Sequence, residues 1–152
     1  MTIRKAVPQD VPAIYACCVN AFRDYILLIG RTPGPMLEDY WEAVRDHPVF
    51  VAEEDGEMMG FLLIKDGDGD YMWMDVLAAW PQGRGAGSAL MRQCETYIRS
   101  QGKSECRLYT HVKYERTISL YLRNGYEIYD RVQEFGFDRY YMKKCLRQGA
   151  YC

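Results

Sequence analysis

The chain has 152 residues, a length that suits one domain spanning residues 1–152 around a single core. Lysine and arginine number 19 against 21 aspartate and glutamate residues, which gives a formal net charge of -2. This balance lacks the basic excess of proteins that bind phosphate backbones and argues against nucleic acid as a partner. The longest apolar runs, such as YILLI at 25–29, are far shorter than the ~20 residues of a membrane-spanning helix.

The first residues, MTIRKAVPQD, do not continue into the apolar stretch of a signal peptide, so we expect a cytoplasmic protein with no membrane partner. Six cysteines include no C-x-x-C pair, and we expect reduced, mostly buried thiols with Cys152 as the exposed exception. The turn DGDGD at 66–70 resembles the start of a calcium loop, but the twelfth position from Asp66 is Leu77 instead of glutamate. We therefore predict no metal site.

The first half of the chain alternates short apolar runs with turn residues. TIRKA, at 2–6, predicts a strand, and Pro8-Gln9-Asp10 opens a helix whose apolar residues recur at helical spacing. GRTPGP at 30–35 predicts a loop, and MLEDYWEAVRDH at 36–47 predicts a second helix. VFVAE and EMMGFLLIK flank Asp55-Gly56, a strong hairpin signal, and YMWMDVLAAW at 71–80 predicts the next strand.

The second half begins with a glycine-rich turn at 82–87. In the helix predicted after it, the residues Leu90, Met91, Cys94, Tyr97 and Ile98 share one face, and Gly102 supplies a left-handed end. ECRLYTHV predicts a strand, YERTISLYLRN a helix that ends at Gly125, and the last two runs a pair of strands around Gly136. The order β-α-α-β-β-β-α-β-α-β-β predicts an α/β (α+β) domain with a mixed sheet covered by helices.

Spacing identifies the kind of glycine turn in PQGRGAGSALM, residues 81–91. A dinucleotide fingerprint that starts at Gly83 needs glycine at Ser88, and the Gly-Lys-Ser/Thr of a P-loop is absent. What remains is a Q-x-x-G-x-G run in which backbone N–H groups and the next helix's N-terminus can converge on a pyrophosphate, with Arg84 and Ser88 as further donors. The alternative is that the glycines only make a tight connection between a strand and a helix.

The sequence resembles the GCN5-related N-acetyltransferase superfamily, whose acetyl-CoA motif is Q/R-x-x-G-x-G/A followed by a helix rich in Leu and Met. QGRGAGSALM matches that motif, and ERTISLYLRNGYE at 115–127 looks like the family's second conserved stretch. Both stand in the family's order, and the β-α-α-β-β-β start agrees. The resemblance covers nearly the whole chain and implies a mostly antiparallel sheet of six to seven strands, with acetyl-CoA as the cofactor.

The resemblance also implies how the cofactor is held. The strand before the glycine turn splays from its neighbour, and its backbone pairs with the pantetheine arm at Val76, Leu77 and Ala78. The pyrophosphate falls to the turn and the start of the next helix: Gln82, Gly83, Arg84, Gly85, Ala86, Gly87 and Ser88. Tyr114 stands where many relatives carry an asparagine that contacts the cofactor, so this contact is either lost or replaced by stacking.

Acetyl transfer from a thioester to an amine needs a base for the ammonium and an acid for the departing thiolate. The resemblance gives the acid role to Tyr121; the alternative is a core aromatic that shares a face with Tyr114, Ile118 and Leu122. Asp75 is the only charged residue between Tyr71 and Gln82 and is a candidate base or water-ordering group. The alternative is a structural aspartate, and Pro81 directly before Gln82 departs from the family pattern and leaves the register of Asp75 open.

The acceptor side in this superfamily is formed by the first two helices, their loop and the last strand pair. Here these segments, 24–41 and 134–142, are rich in aromatic and acidic residues and suit a cationic amine, with Tyr25, Trp41 and Tyr140 as candidate contacts. Ordinary amphipathic packing is the alternative for each residue.

We therefore expect an acetyl-CoA-dependent N-acetyltransferase that acts on a primary amine of a small molecule by direct transfer in a ternary complex. The alternatives are a protein or peptide N-acetyltransferase and a non-catalytic acyl-CoA-binding regulator. A homodimer is the habit of the family.

Overall fold

The computed structural model describes residues 1–147. The strands are β1 Thr2–Lys5, β2 Val49–Glu54, β3 Glu57–Asp66, β4 Tyr71–Ala79, β5 Glu105–His111, β6 Glu127–Glu134 and β7 Phe137–Cys145. The helices are α1 Val11–Phe22, α2 Tyr25–Ile29, α3 Tyr40–Asp46, α4 Ala86–Ser100 and α5 Glu115–Arg123, and 3-10 turns cover Pro8–Asp10 and Gly34–Leu37.

The seven strands follow the order β1-β2-β3-β4-β5-β7-β6. The pair β4–β5 is parallel, whereas β1–β2, β2–β3, β5–β7 and β6–β7 are antiparallel. The predicted mixed, mostly antiparallel sheet is thereby confirmed. The chain divides into two compact units: the first comprises Met1–Lys65 and Met74–Thr96, and the second Asp66–Trp73 and Tyr97–Cys152, of which the last five residues lie outside the described part.

The first unit is built on the hairpin of β2 and β3. Asp55 and Gly56 both have positive φ, 52° and 77°, as a tight two-residue turn requires. On one face, α1 and α3 bury a core in which these large side chains are fully enclosed: Val11, Ile14, Tyr40, Phe61 and Leu63.

On the other face of β3, Gly60 makes room for its neighbours. A Cβ at this position would lie 2.5 Å from the carbonyl oxygen of Ala78 and 3.0 Å from Cδ1 of Leu90 in α4. The glycine thus permits the close approach of β3, β4 and the helix that follows the glycine turn.

The second unit is organised around β7, which lies between β5 and β6. Its pairing with β5 runs from Glu105 opposite Cys145 to His111 opposite Arg139. Phe135 and Gly136, with φ of 52° and 78°, turn the chain between β6 and β7. The helix α5 buries Ile118 and Tyr121.

The structure corrects three details of the predicted elements. A short helix, α2, lies in the run that begins at Tyr25, where no separate helix was predicted. The second predicted helix begins at Tyr40 instead of residue 36, because Asp39 accepts a hydrogen bond from the Glu42 N–H and so caps the helix there. Leu122 is 48% exposed and does not share the buried face of α5.

The cysteines follow the prediction in part. Four are free and buried: Cys17, Cys18, Cys94 and Cys106. Cys145 is disulfide-bonded, so the expectation of reduced thiols is wrong at this position. Cys152, expected to be exposed, lies outside the described residues.

Candidate active site

The glycine turn is exposed and leads directly into α4. Gly83 and Gly85 have φ of 81° and 85°, which residues with a Cβ rarely adopt. A Cβ built at either position meets no protein atom within 4 Å, so backbone conformation, and not crowding within the chain, is what favours glycine there. The open space beside both α-carbons leaves the main chain accessible to a ligand.

The start of α4 adds hydrogen-bond donors to this turn. The Ala89 N–H donates to the carbonyl of Gly85 at 3.1 Å, which makes Gly85 the residue before the first helical turn. The N–H groups of Ala86, Gly87 and Ser88 therefore belong to that first turn, where an α-helix offers them no acceptor of its own. With 15 residues, α4 directs the positive end of a full helix dipole to this place.

The strand before the turn pairs with β5 over a short length. The parallel pairing joins Tyr71–Trp73 to Glu105–Arg107. Val76, Leu77 and Ala78 lie beyond these pairs, near the end of β4. The side chains of Val76 and Ala78 are buried in the core of the first unit, so at these two positions the main chain is what remains for a ligand to contact.

Asp75 lies in β4 with only 9% of its side chain exposed, and its carboxylate has a counter-charge. Lys65, near the end of β3, places Nζ 3.4 Å from Oδ2 of Asp75. The same ammonium lies 3.1 Å and 3.3 Å from the two carboxylate oxygens of Glu38. One cation is therefore shared by two carboxylates.

Lys65 is the residue of this cluster that sequence reasoning missed. Lys65 ends the apolar run EMMGFLLIK, and Asp75 lies in the next apolar run along the chain. A single cation in one run and a single carboxylate in the next are the signal by which the sequence could have indicated this ion pair. Burial alone would lower the pKa of Lys65, but the charges of Asp75 and Glu38 outweigh burial and raise it.

Tyr121 is 6% exposed on the buried face of α5. Its ring meets the ring of Tyr126 edge to face, with centroids 5.8 Å apart, and its carbonyl accepts the Tyr126 N–H at 3.1 Å. Tyr114 stands at the N-terminus of the same helix, is 8% exposed, and lies 5.4 Å from the ring of His111. The structure thus brings Tyr114 and Tyr121 onto one buried helical face.

The three candidate acceptor contacts have different surroundings. Trp41, in α3, is 54% exposed. Tyr25, the first residue of α2, packs its ring 6.2 Å from Phe22. Tyr140, in the second unit, lies under the guanidinium of Arg131 at 5.7 Å.

The described residues contain neither a candidate metal centre nor a candidate membrane-spanning helix. Within residues 1–147, no three His, Cys, Asp or Glu side chains converge on a possible metal position. In the same part of the chain, no helix combines the length and the apolar character needed to cross a bilayer.

One of two sequence comparisons with known proteins finds a match. A profile of the acetyltransferase (GNAT) family matches residues 16–126, well over half of the chain. Among curated proteins, none matches the sequence.

Several solved structures have the same fold. The PaiA N-acetyltransferase of Thermoplasma acidophilum in complex with coenzyme A has a TM-score of 0.79 at 20% identity, over 95% of this chain and 98% of that one. Nourseothricin acetyltransferase has a TM-score of 0.74 at 20% identity, over 96% and 98%. The ribosomal-protein-alanine N-acetyltransferase of Brucella melitensis has a TM-score of 0.74 at 22% identity, over 95% and 99%.

At these identities the likeness concerns the fold, whereas the profile match establishes the family. The glycine turn and the strand before it lie within the matched residues, as do Asp75 and Tyr121. The chain therefore belongs to the acetyltransferase (GNAT) family of acetyl-CoA-dependent enzymes.

Proposed function

We propose that this chain transfers the acetyl group of acetyl-CoA to a primary amine of a small molecule, by direct transfer in a ternary complex. The observation that carries the proposal is the exposed turn at Gly83 and Gly85, which has left-handed backbone at both glycines and leads into the free N–H groups of α4. In the proposal, residues 1–152 form one acetyltransferase domain.

The residues of the turn fit a pyrophosphate. The open space beside Gly83 and Gly85 leaves the main chain accessible, and the N–H groups of Ala86 to Ser88 supply donors at the positive end of a helix. Arg84 is exposed and adds a positive charge to the same turn. The main chain of Val76 to Ala78 and the ring of Tyr114 would hold the rest of the cofactor.

When bound, acetyl-CoA supplies an acetyl group activated as a thioester. Asp75 would accept a proton from the acceptor ammonium, through a water molecule, at a carboxylate oxygen. The hydroxyl of Tyr121 would donate its proton to the departing sulfur; the ring that carries it is buried and meets the ring of Tyr126 edge to face.

The acceptor side supports an amine with a cationic group. Glu38 and Asp75 together carry two negative charges against the single positive charge of Lys65. Tyr25 and the half-exposed Trp41 offer aromatic faces in the same unit, and Tyr140 offers one in the second.

A peptide acceptor is the second candidate. Proteins with the same fold include an enzyme named for ribosomal-protein alanine and the Naa20 of Chaetomium thermophilum, the latter with a TM-score of 0.70 at 20% identity. Exposed apolar side chains in segment 24–41, with Leu27 at 93% and Leu37 at 67% exposure, suit an extended acceptor as well as a small one.

The test is a titration of acetyl-CoA into the purified protein, followed by measurement of thiol release with a pooled library of small amines and a pooled library of peptides. Release with the small amines supports the proposal, and release with peptides alone favours the second candidate. Binding without release from either pool would point to an acyl-CoA-binding regulator. The absence of binding would mean that the glycine turn is only a connection between a strand and a helix.

The cytoplasmic location and the homodimer stay predictions.

A further inference from the structure

We propose that Lys65 is a positioning residue for Asp75, and that its ammonium, shared with Glu38, is the counter-charge that holds the Asp75 carboxylate in place on β4. The inference rests on the proposed function, in which Asp75 accepts the proton of the incoming amine. It assigns to Lys65 a role in setting the pH range of the reaction, without contact between Lys65 and the reacting atoms.

The geometry of the three charges carries the inference. The Asp75 side chain is the most enclosed of the three, with 9% exposed, against 27% for Glu38 and 31% for Lys65. A carboxylate enclosed to this degree is costly to keep ionised without a counter-charge. The ammonium of Lys65, 3.4 Å from Oδ2 of Asp75, supplies that charge.

Lys65 is itself held in its charged form. Burial pulls its pKa down, but Asp75 and Glu38 outweigh burial and raise the pKa above its ordinary value. A raised pKa keeps the ammonium protonated throughout the neutral range, and its contribution is lost only as the pH rises through that raised value. Lys65 therefore donates hydrogen bonds in the working range and does not act as the base.

The other titratable groups packed against the cluster add no charge. The hydroxyl of Tyr40 donates to the Pro35 carbonyl at 2.6 Å, and burial raises its pKa well above the ordinary range. Its neighbour Cys18 has a pKa raised to about 11, chiefly by burial.

The backbone of Glu38, the third member of the cluster, is also anchored. The Tyr15 hydroxyl donates a hydrogen bond to the Glu38 carbonyl at 3.5 Å.

The consequence is a defined effect on the pH profile. In Lys65→Met, Asp75 loses its counter-charge. A carboxylate without a counter-charge takes up a proton more readily, so the acidic limb of the kcat/KM profile should move to higher pH by about one unit or more. At a pH on that acidic limb, kcat should fall by about tenfold for each unit of the shift, with the KM for acetyl-CoA unchanged. Lys65→Arg keeps the charge and should restore both the limb and most of kcat.

The experiment measures kcat and kcat/KM against pH on the full chain, with the amine found by thiol release. It compares the wild type with Lys65→Met, Lys65→Arg and Asp75→Asn. Lys103→Met is the matched control, because Lys103 is also partly buried and ion-paired, but to Asp66. This control should leave the profile in place, and thermal unfolding checks that each variant is folded.

The outcomes separate this inference from the proposed function. Loss of activity in Asp75→Asn with an unchanged profile in Lys65→Met overturns the role of Lys65 and leaves the function standing. Full activity in Asp75→Asn removes Asp75 as the base and overturns the inference with it. If Lys65→Met does not fold, Glu38→Gln replaces it. In that variant Asp75 is the one charged partner left to Lys65 in the cluster, so the acidic limb of the profile should move to lower pH. An acidic limb that does not move overturns the proposal.

Discussion

At the residue scale, the proposed acid role of Tyr121 can be tested separately from its packing. The Tyr121 ring contacts Tyr126 edge to face and is buried, and phenylalanine preserves that contact while it removes the hydroxyl. We expect Tyr121→Phe to lower kcat by about 10²-fold, in the range of a lost general acid, with an unchanged KM for acetyl-CoA and an unchanged Tm. Steady-state kinetics and thermal unfolding measure the three quantities.

Tyr126→Phe is the matched control for this prediction, because it removes a hydroxyl from the partner ring of the same contact. It should leave kcat near the wild-type value. Equal loss of kcat in both variants would mean that the aromatic pair supports the fold of α5 and that Tyr121 has no separate role in proton transfer.

A second residue-scale prediction concerns Asp10 and the acid stability of the first unit. Arg4 donates to both oxygens of Asp10, at 2.8 Å and 2.7 Å, and these hydrogen bonds hold the pKa of Asp10 below its ordinary value. Because the folded-state pKa is lowered, the stabilisation is present above about pH 4, the unfolded value, and is lost as the pH falls through the lower folded value.

We expect Asp10→Asn to lower the free energy of unfolding by about 1 kcal/mol at pH 7, with a difference from the wild type that shrinks below pH 4. Urea unfolding at several pH values measures this. Asp46→Asn is the control, because its pair with Arg45 is much more exposed and should contribute little. A difference for Asp10→Asn that is constant from pH 7 to pH 3 would contradict the linkage.

At the element scale, the turn before α4 allows the cost of a backbone conformation to be separated from the loss of a binding site. Gly85 and Gly102 flank α4 with φ of 85° and 76°, and a Cβ at either position meets nothing within 4 Å. Alanine at either position should cost about 1 kcal/mol of stability, since the left-handed conformation is strained for it. Only Gly85→Ala should also raise the Kd for acetyl-CoA, by about tenfold or more, because its methyl group points into the space left for the ligand.

Calorimetric titration and urea unfolding of both variants test this prediction. If Gly102→Ala weakens binding as much as Gly85→Ala does, the effect comes from the stability of α4 and not from the glycine turn at its N-terminus.

The same element shows how far the sequence predicts structure. The glycine spacing and the apolar face of α4 predict the turn, the helix and its left-handed end at Gly102, because these are local properties of the chain. The five-residue helix α2 was not predicted, since a run as short as YILLI carries no readable period. The start of α3 was set too early, although Asp39 followed three residues later by Glu42 is a capping signal that the sequence contains.

The limits are sharper for the candidate site. Asp75 is visible in the sequence as a lone charge in an apolar strand, but its partner is not, because the contact with Lys65 depends on how β3 and β4 align and on where the segment before α3 places Glu38. The spacing of residues along the chain does not predict contacts of this kind between separate elements. The sequence therefore indicates candidate residues for the chemistry more readily than it indicates which side chains contact them.

At the scale of the whole molecule, the fold and the cofactor are coupled through mass action. A ligand that binds only the folded chain at about 100 times its Kd adds about 2.7 kcal/mol to the free energy of unfolding. For a chain of this length we expect acetyl-CoA to raise the Tm by about 5–10 °C. Thermal unfolding with and without acetyl-CoA measures the shift, and a Tm that does not move at any concentration would contradict cofactor binding.

The same shift in Tm, measured on the variants above, distinguishes residues that bind the cofactor from residues that act only in the reaction. Gly85→Ala should show a reduced shift at the same acetyl-CoA concentration, because the turn contributes to binding in the ground state. Tyr121→Phe should keep the full shift while kcat falls, since in the proposed mechanism the Tyr121 hydroxyl acts on the sulfur as it departs and adds little to binding beforehand. A reduced shift in Tyr121→Phe would instead make Tyr121 a binding residue, and the loss of kcat would then need another explanation.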